Sequence, residues 1–110
     1  MTTMRVKLYD LAHCRAGDKG NTLILSLIPF RETDYPLLSQ MVTAEKVKEH
    51  LSSIVKGDVV RYELPNIASL QFVCQDALEG GVTTSLALDP HGKTLSYALL
   101  EMEIELQKGI

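Results

Sequence analysis

At 110 residues the chain is long enough for one domain and too short for two, and 45% apolar with 23% charged content excludes an intrinsically disordered chain. A net charge of −3 argues against a binder of nucleic-acid backbone, which needs clustered Lys and Arg, but leaves room for a small anion held by a few residues. No run approaches the ~18 apolar residues of a membrane span.

Residues 5–11 read as a short strand, with Val6, Leu8 and Asp10 facing one way. A polar, glycine-bearing loop follows over 14–21. Residues 22–30 are almost continuously apolar, which predicts a strand buried on both faces and ended by Pro29. Residues 34–41 predict a short helix with Asp34 as cap and Pro36 in the first turn. Thr43 is placed to cap a second helix. Val42 and Val47 have the spacing of a hydrophobic staple, and Val47, Leu51, Ile54 and Val55 form its apolar face. Gly57 reads as its C-terminal stop.

Residues 58–64 alternate, which predicts a strand with Val60, Tyr62 and Leu64 on one face and Arg61 and Glu63 on the other. Pro65 ends it. Residues 67–78 fit a helix capped by Asn66 or a strand, and the helix is preferred. Residues 82–89 predict a strand, and 90–93 a turn. Thr94 opens a final helix carrying Leu95, Leu99 and Met102, although the alternation over 102–106 also allows a closing strand. The mixture predicts an α+β ferredoxin-like sandwich spanning 1–110, a mixed or antiparallel sheet with helices packed on one face.

The segment 13–22 is richest in chemistry. Gly17 and Gly20 allow left-handed backbone and close approach of a ligand. Successive N–H groups between them could form an anion nest. Arg15 can fork onto a carboxylate or phosphate, and Lys19 adds a point charge. Asp18 could exchange a proton, or bond its own backbone in a plain polar turn. No P-loop spacing is present. Gly17-Asp18-Lys19-Gly20 fits the two-glycine loop of KH domains, but that loop joins helices, and here it lies between strand-like segments of an acidic chain. No nucleic-acid partner is therefore expected.

Cys14 and Cys74 read as small hydrophobes, and His13 is adjacent to Cys14, so in an extended chain it points away and cannot serve as its base. His50 reads as solvated and His91 as a turn residue. No pair has metal-ligand spacing, so neither a metal nor a cofactor is expected. Glu101, Glu103 and Glu105 read as the wet side of an element. Two cysteines without a disulfide pattern, and residues 1–5 without the apolar run of a signal peptide, favour a reduced, cytoplasmic setting with no membrane partner.

The ordered segments resemble the small C-terminal domain of the AtuA-like family, associated with acyclic terpene utilisation. Residues 14–20 are similar to its Ala-Arg-Ser-Gly-Asp-Lys-Gly segment, and Thr43-Ala44-Glu45 with Val47 to its helix start. Residues 61–66 match its Arg-Tyr-Glu-Leu-Pro-Asn stretch. Residues 78–81, then Ser85-Leu86, Asp89 and Gly92-Lys93, follow its ending. The chain departs from that pattern at Ala16, Gln71 and Ala87, and around Glu79 and Val82.

The resemblance implies a ferredoxin-like fold and a bacterial setting beside acyl-CoA catabolic enzymes. The family's usual protein joins this domain to a larger one, so the expected role is an accessory subunit or binding module. Its partner would be a separately encoded large AtuA-like chain, and self-association is a further expectation. Any ligand site is expected at Arg15, Gly17, Asp18, Lys19, Gly20 and Asn21, with Asn66 as a second candidate. The alternative is a free-standing enzyme acting on an acyl-CoA or related carboxylate, with Asp18 and Lys19 as acid–base and electrostatic groups.

Overall fold

The computed structural model describes residues 3–77 and 93–107. The predictions for 78–92, including a strand over 82–89 and the turn at His91, lie outside the described residues. The described elements are α+β, with six strands in two antiparallel sheets and three α-helices.

The first strand, β1 (Thr3–Lys7), is shorter than expected. The chain leaves it at Leu8 in a single 3-10 turn, Leu8–Asp10, and Leu8 is fully buried. The next segment corrects the sequence reading: the polar stretch is not a loop but a strand, β2 (Ala12–Lys19). It pairs antiparallel with β3 (Thr22–Pro29) over eight residue pairs, from Ala12 opposite Pro29 to Lys19 opposite Thr22. Only Gly20 and Asn21 form the turn. Gly20 has φ 62°, at the first position of a two-residue loop, where the type II′ hairpin favours glycine.

Strand β3 is buried on alternate residues rather than on both faces. Leu23, Leu25 and Leu27 are fully enclosed, while Thr22, Ile24, Ser26 and Ile28 are half-buried. Helix α1 (Tyr35–Met41) follows, with proline in its first turn. Asp34 stands at the cap position but makes no capping bond; its carboxylate lies 3.4 Å from Arg31 Nε instead. Helix α2 (Ala44–His50) is capped as expected, Thr43 Oγ1 accepting from the Lys46 amide at 3.1 Å. Val42, Val47, Leu51 and Val55 are buried. The helix ends at His50, short of Gly57, whose role is different. A Cβ at Gly57 would meet the Gln75 carbonyl oxygen at 2.8 Å, and the Gly57 amide donates to that oxygen at 3.0 Å.

Strand β4 (Val59–Leu64) then pairs with β5 (Ser69–Cys74), giving the sheet order β2-β3-β5-β4. The preferred helix over 67–78 is thus replaced by a strand. Leu70, Phe72 and Cys74 alternate into the core, a period of two that fits only a strand. The hairpin closes through Pro65–Ile67 and Ala68, which is left-handed at φ 48°, ψ 53°. Because β3 and β4 both run antiparallel to β5, α1 and α2 form the crossover of a split β-α-β unit.

A helix and a closing strand both occur in the C-terminal segment, in succession. Helix α3 (Lys93–Leu100) starts one residue before Thr94, which is therefore not its cap, and stops short of Met102; β6 (Glu103–Gln107) follows, paired antiparallel with β1. Glu101, Glu103 and Glu105 form the wet side, near Lys7 and Arg5. One core joins the inner face of the four-stranded sheet, the helices, Ile104 of the second sheet, and Met102 just before it.

Candidate functional site

The helices occupy one face of the four-stranded sheet, so the other face belongs to the alternate residues of each strand. The ladder aligns these residues into rows. Gly17, Ile24, Val73 and Val60 form one row; Arg15, Ser26, Gln71 and Tyr62 form the next. Val60 and Tyr62 are 42% and 51% exposed, which for a valine and a tyrosine on a strand marks a surface the described residues do not cover.

This face agrees with the alternation read for β4 and adds which side is which: Val60 and Tyr62 look outward, and Arg61 points to the helix side. The cause is chemical. The last carbonyls of a helix lack intrahelical donors. The Arg61 guanidinium donates to the carbonyl oxygens of Ser39 and, at 2.9 Å, of Val42, both at the end of α1. It also lies 3.4 Å from the Glu63 carboxylate, which accepts from Ser39 Oγ at 3.1 Å.

At the β2 edge, Arg15, Gly17 and Lys19 share the outer side. Arg15 and Lys19 are four residues apart, about 13 Å along a strand. Both are exposed, and neither makes an ion pair among the described residues. Gly17 lies between them, and a Cβ built there would meet nothing within 4 Å. The result is a bare backbone strip flanked by two flexible cations. Of the two glycines, only Gly20 is left-handed, so backbone N–H groups over 15–19 serve a strand and not a nest. Asp18 occupies the ladder position opposite Leu23, and its side chain lies outside the described residues.

Asn66 is not part of this group. It is exposed in the β4–β5 turn, next to the Leu64–Ser69 pair, at the Leu27 end of β3. Gly20 and Asn21 are at the Thr22 end, where the Asn21 carbonyl accepts from the Ala77 amide at 2.9 Å. Arg15, Gly17, Lys19, Gly20 and Asn21 are therefore contiguous, and Asn66 is at the opposite end of the sheet.

Neither cysteine has the surroundings of a nucleophile. Burial pushes the Cys14 thiol up to about 12, with a smaller contribution from Cys74, and pushes Cys74 up to about 11. His13 stacks on Phe30, ring centroids 5.8 Å apart and planes 2° from parallel. The exposed His50 is not wholly solvated: its Nε2 lies 2.7 Å from the Ala98 carbonyl oxygen, linking α2 to α3. No group of three metal-ligating side chains occurs among the described residues, nor any helix long and apolar enough to cross a membrane.

An antiparallel split β-α-β sheet, with the described helices on one side and none of the described elements on the other, defines the class as ferredoxin-like α+β. Within it, the model of the AtuA ferredoxin-like domain matches residues 6–105, and the chain belongs to that family. No curated protein and no solved structure matches the chain. The residues that sequence reasoning missed are those of the outer face, Ile24, Val73, Val60 and Tyr62. Their signal was the alternation over 59–64 and 69–74, once aligned by pairing.

Proposed function

We propose that this domain is an accessory binding module of a metabolic complex, docking through its outer sheet face onto a large AtuA-like chain. The observation that carries this reading is the row Gly17, Ile24, Val73, Val60 beside the exposed Tyr62: an apolar strip on a sheet face that α1, α2 and α3 leave bare. Such a strip, rimmed by polar residues, suits a protein interface. Arg15 and Lys19 lie at its rim with Gly17 between them. Two cations on flexible stems can close over an anionic group lying on the bare backbone, and the phosphates or carboxylate of an acyl-CoA-type ligand fit that spacing. In this reading Arg15 and Lys19 hold charge, Gly17 permits approach, and the neighbouring chain supplies the rest of the site.

The test is binding of the purified domain to a large AtuA-like chain from the same genome by calorimetry. Val73→Lys, set in the middle of the strip, should weaken binding by at least about 2 kcal/mol while leaving the circular dichroism spectrum intact. Unchanged affinity in Val73→Lys and Ile24→Lys would remove the outer face from consideration. Arg15→Ala with Lys19→Ala should leave docking in place and reduce binding of coenzyme A by the complex.

A further inference from the structure

We propose that β4 is a self-pairing edge, through which two copies of this chain join their four-stranded sheets into one of eight strands across a two-fold axis at Tyr62. This does not depend on the docking reading above. Strand β4 is the last in the order β2-β3-β5-β4, and among the described residues its only ladder partner is β5. Its outer backbone groups are a template for another strand, and edges usually carry Lys, Pro or a bulge against that. Residues 59–64 contain none of these; Pro65 comes after the strand. An inward charge is another such device, and Arg61 points inward. Its guanidinium, however, is already held by the Ser39 and Val42 carbonyls and by Glu63.

The residue order favours a second copy as the occupant. In an antiparallel pair of identical strands about a two-fold axis, one residue faces itself and the others pair symmetrically. Centring on Tyr62 sets Arg61 of each copy opposite Glu63 of the other, and Val60 opposite Leu64. Two opposite-charge pairs, one on each side of the axis, then face each other on the helix side. On the outer side Tyr62 meets Tyr62 between two apolar pairs. Centring on Arg61 or Glu63 sets like charges face to face. Centring on Val60 sets Tyr62 opposite Asp58. The other edge, β2, is worse suited: centred on Gly17 it sets Arg15 against Lys19. Pairing at β4 also sets Val60 and Tyr62, two of the exposed large apolar side chains, beside apolar cross-strand neighbours of the other copy.

Sedimentation equilibrium of the full chain tests this, with Tyr62→Lys as the variant and circular dichroism as the fold control. The expected result is a concentration-dependent dimer, weakened about tenfold or more by lysines facing each other across the axis. Tyr62→Cys should cross-link readily to itself under mild oxidation, and Ile67→Cys, beyond the ladder, should not. A chain that stays monomeric to about 1 mM overturns the proposal. So does a dimer indifferent to Tyr62→Lys, or protection of β4 amides that appears only when a large AtuA-like chain is added.

Discussion

Cys14 on β2 and Cys74 on β5 show how position fixes the chemistry of a side chain. Cys74 is fully buried, and Cys14 packs against the core from the edge strand. Removing a thiolate from water is costly, so burial raises both thiols from the ordinary 9.0, Cys14 to about 12 and Cys74 to about 11. Well below pH 9 both are neutral in the folded and the unfolded chain, and they contribute no pH dependence there. Between about 9 and 12 the unfolded chain sheds protons that the folded chain keeps, so stability falls as pH rises. The expected loss is on the order of 1 kcal/mol per thiol by about pH 10. Urea unfolding from neutral to alkaline pH measures it. The alkaline slope should shrink in the Cys14→Ala, Cys74→Ala double variant. An identical slope would show that neither thiol is protected.

Arg61 joins two elements, and its loss should be felt in both. The guanidinium satisfies carbonyls at the end of α1 from a position on β4, with the side chain only 20% exposed. Arg61→Met keeps the apolar stem and leaves those carbonyls without their donor, at an expected cost of about 1–3 kcal/mol. Arg61→Lys should recover only part of this, because an ammonium cannot reproduce the planar fork. Chemical denaturation of the three proteins gives the ranking, and a Met variant as stable as the parent would show that water replaces the arginine. The same residue shows why the core-facing side of β4 was not legible. Alternation set the strand and parted Val60, Tyr62 and Leu64 from Arg61 and Glu63, without saying which set faces the helices. What decides the side is a demand from α1 that local sequence does not contain. Strand β2 was illegible for a related reason: its Gly, Asp and Lys have loop composition, and the strand exists because β3 pairs with it. The cap at Thr43 and the turn glycine at Gly20, being local, were legible. The bare face was not, since its rows form only when β2, β3, β5 and β4 are laid in order.

At the scale of the molecule, the question is whether two sheets unfold as one. Strands β1 and β6 form their own two-stranded sheet, and such a pair is at best marginally stable alone in water. It is tied to the rest through the core. Ile104 is 3% exposed and belongs to the same cluster as Leu25, Phe72 and Leu99, and the Leu8 amide donates to the Met102 carbonyl at 2.9 Å. A cavity at Ile104 therefore opens into the shared core rather than into a separate lobe. Ile104→Ala should cost about 2–5 kcal/mol of global stability and leave unfolding a single transition. Native-state hydrogen exchange tests the coupling directly. Amides of β1 and β6 should exchange with nearly the same opening free energy as those of β3 and β5, and both sets should drop together in the variant. If only β1 and β6 open more easily, the small sheet is its own cooperative unit. The common core would then end at the four-stranded sheet and its helices.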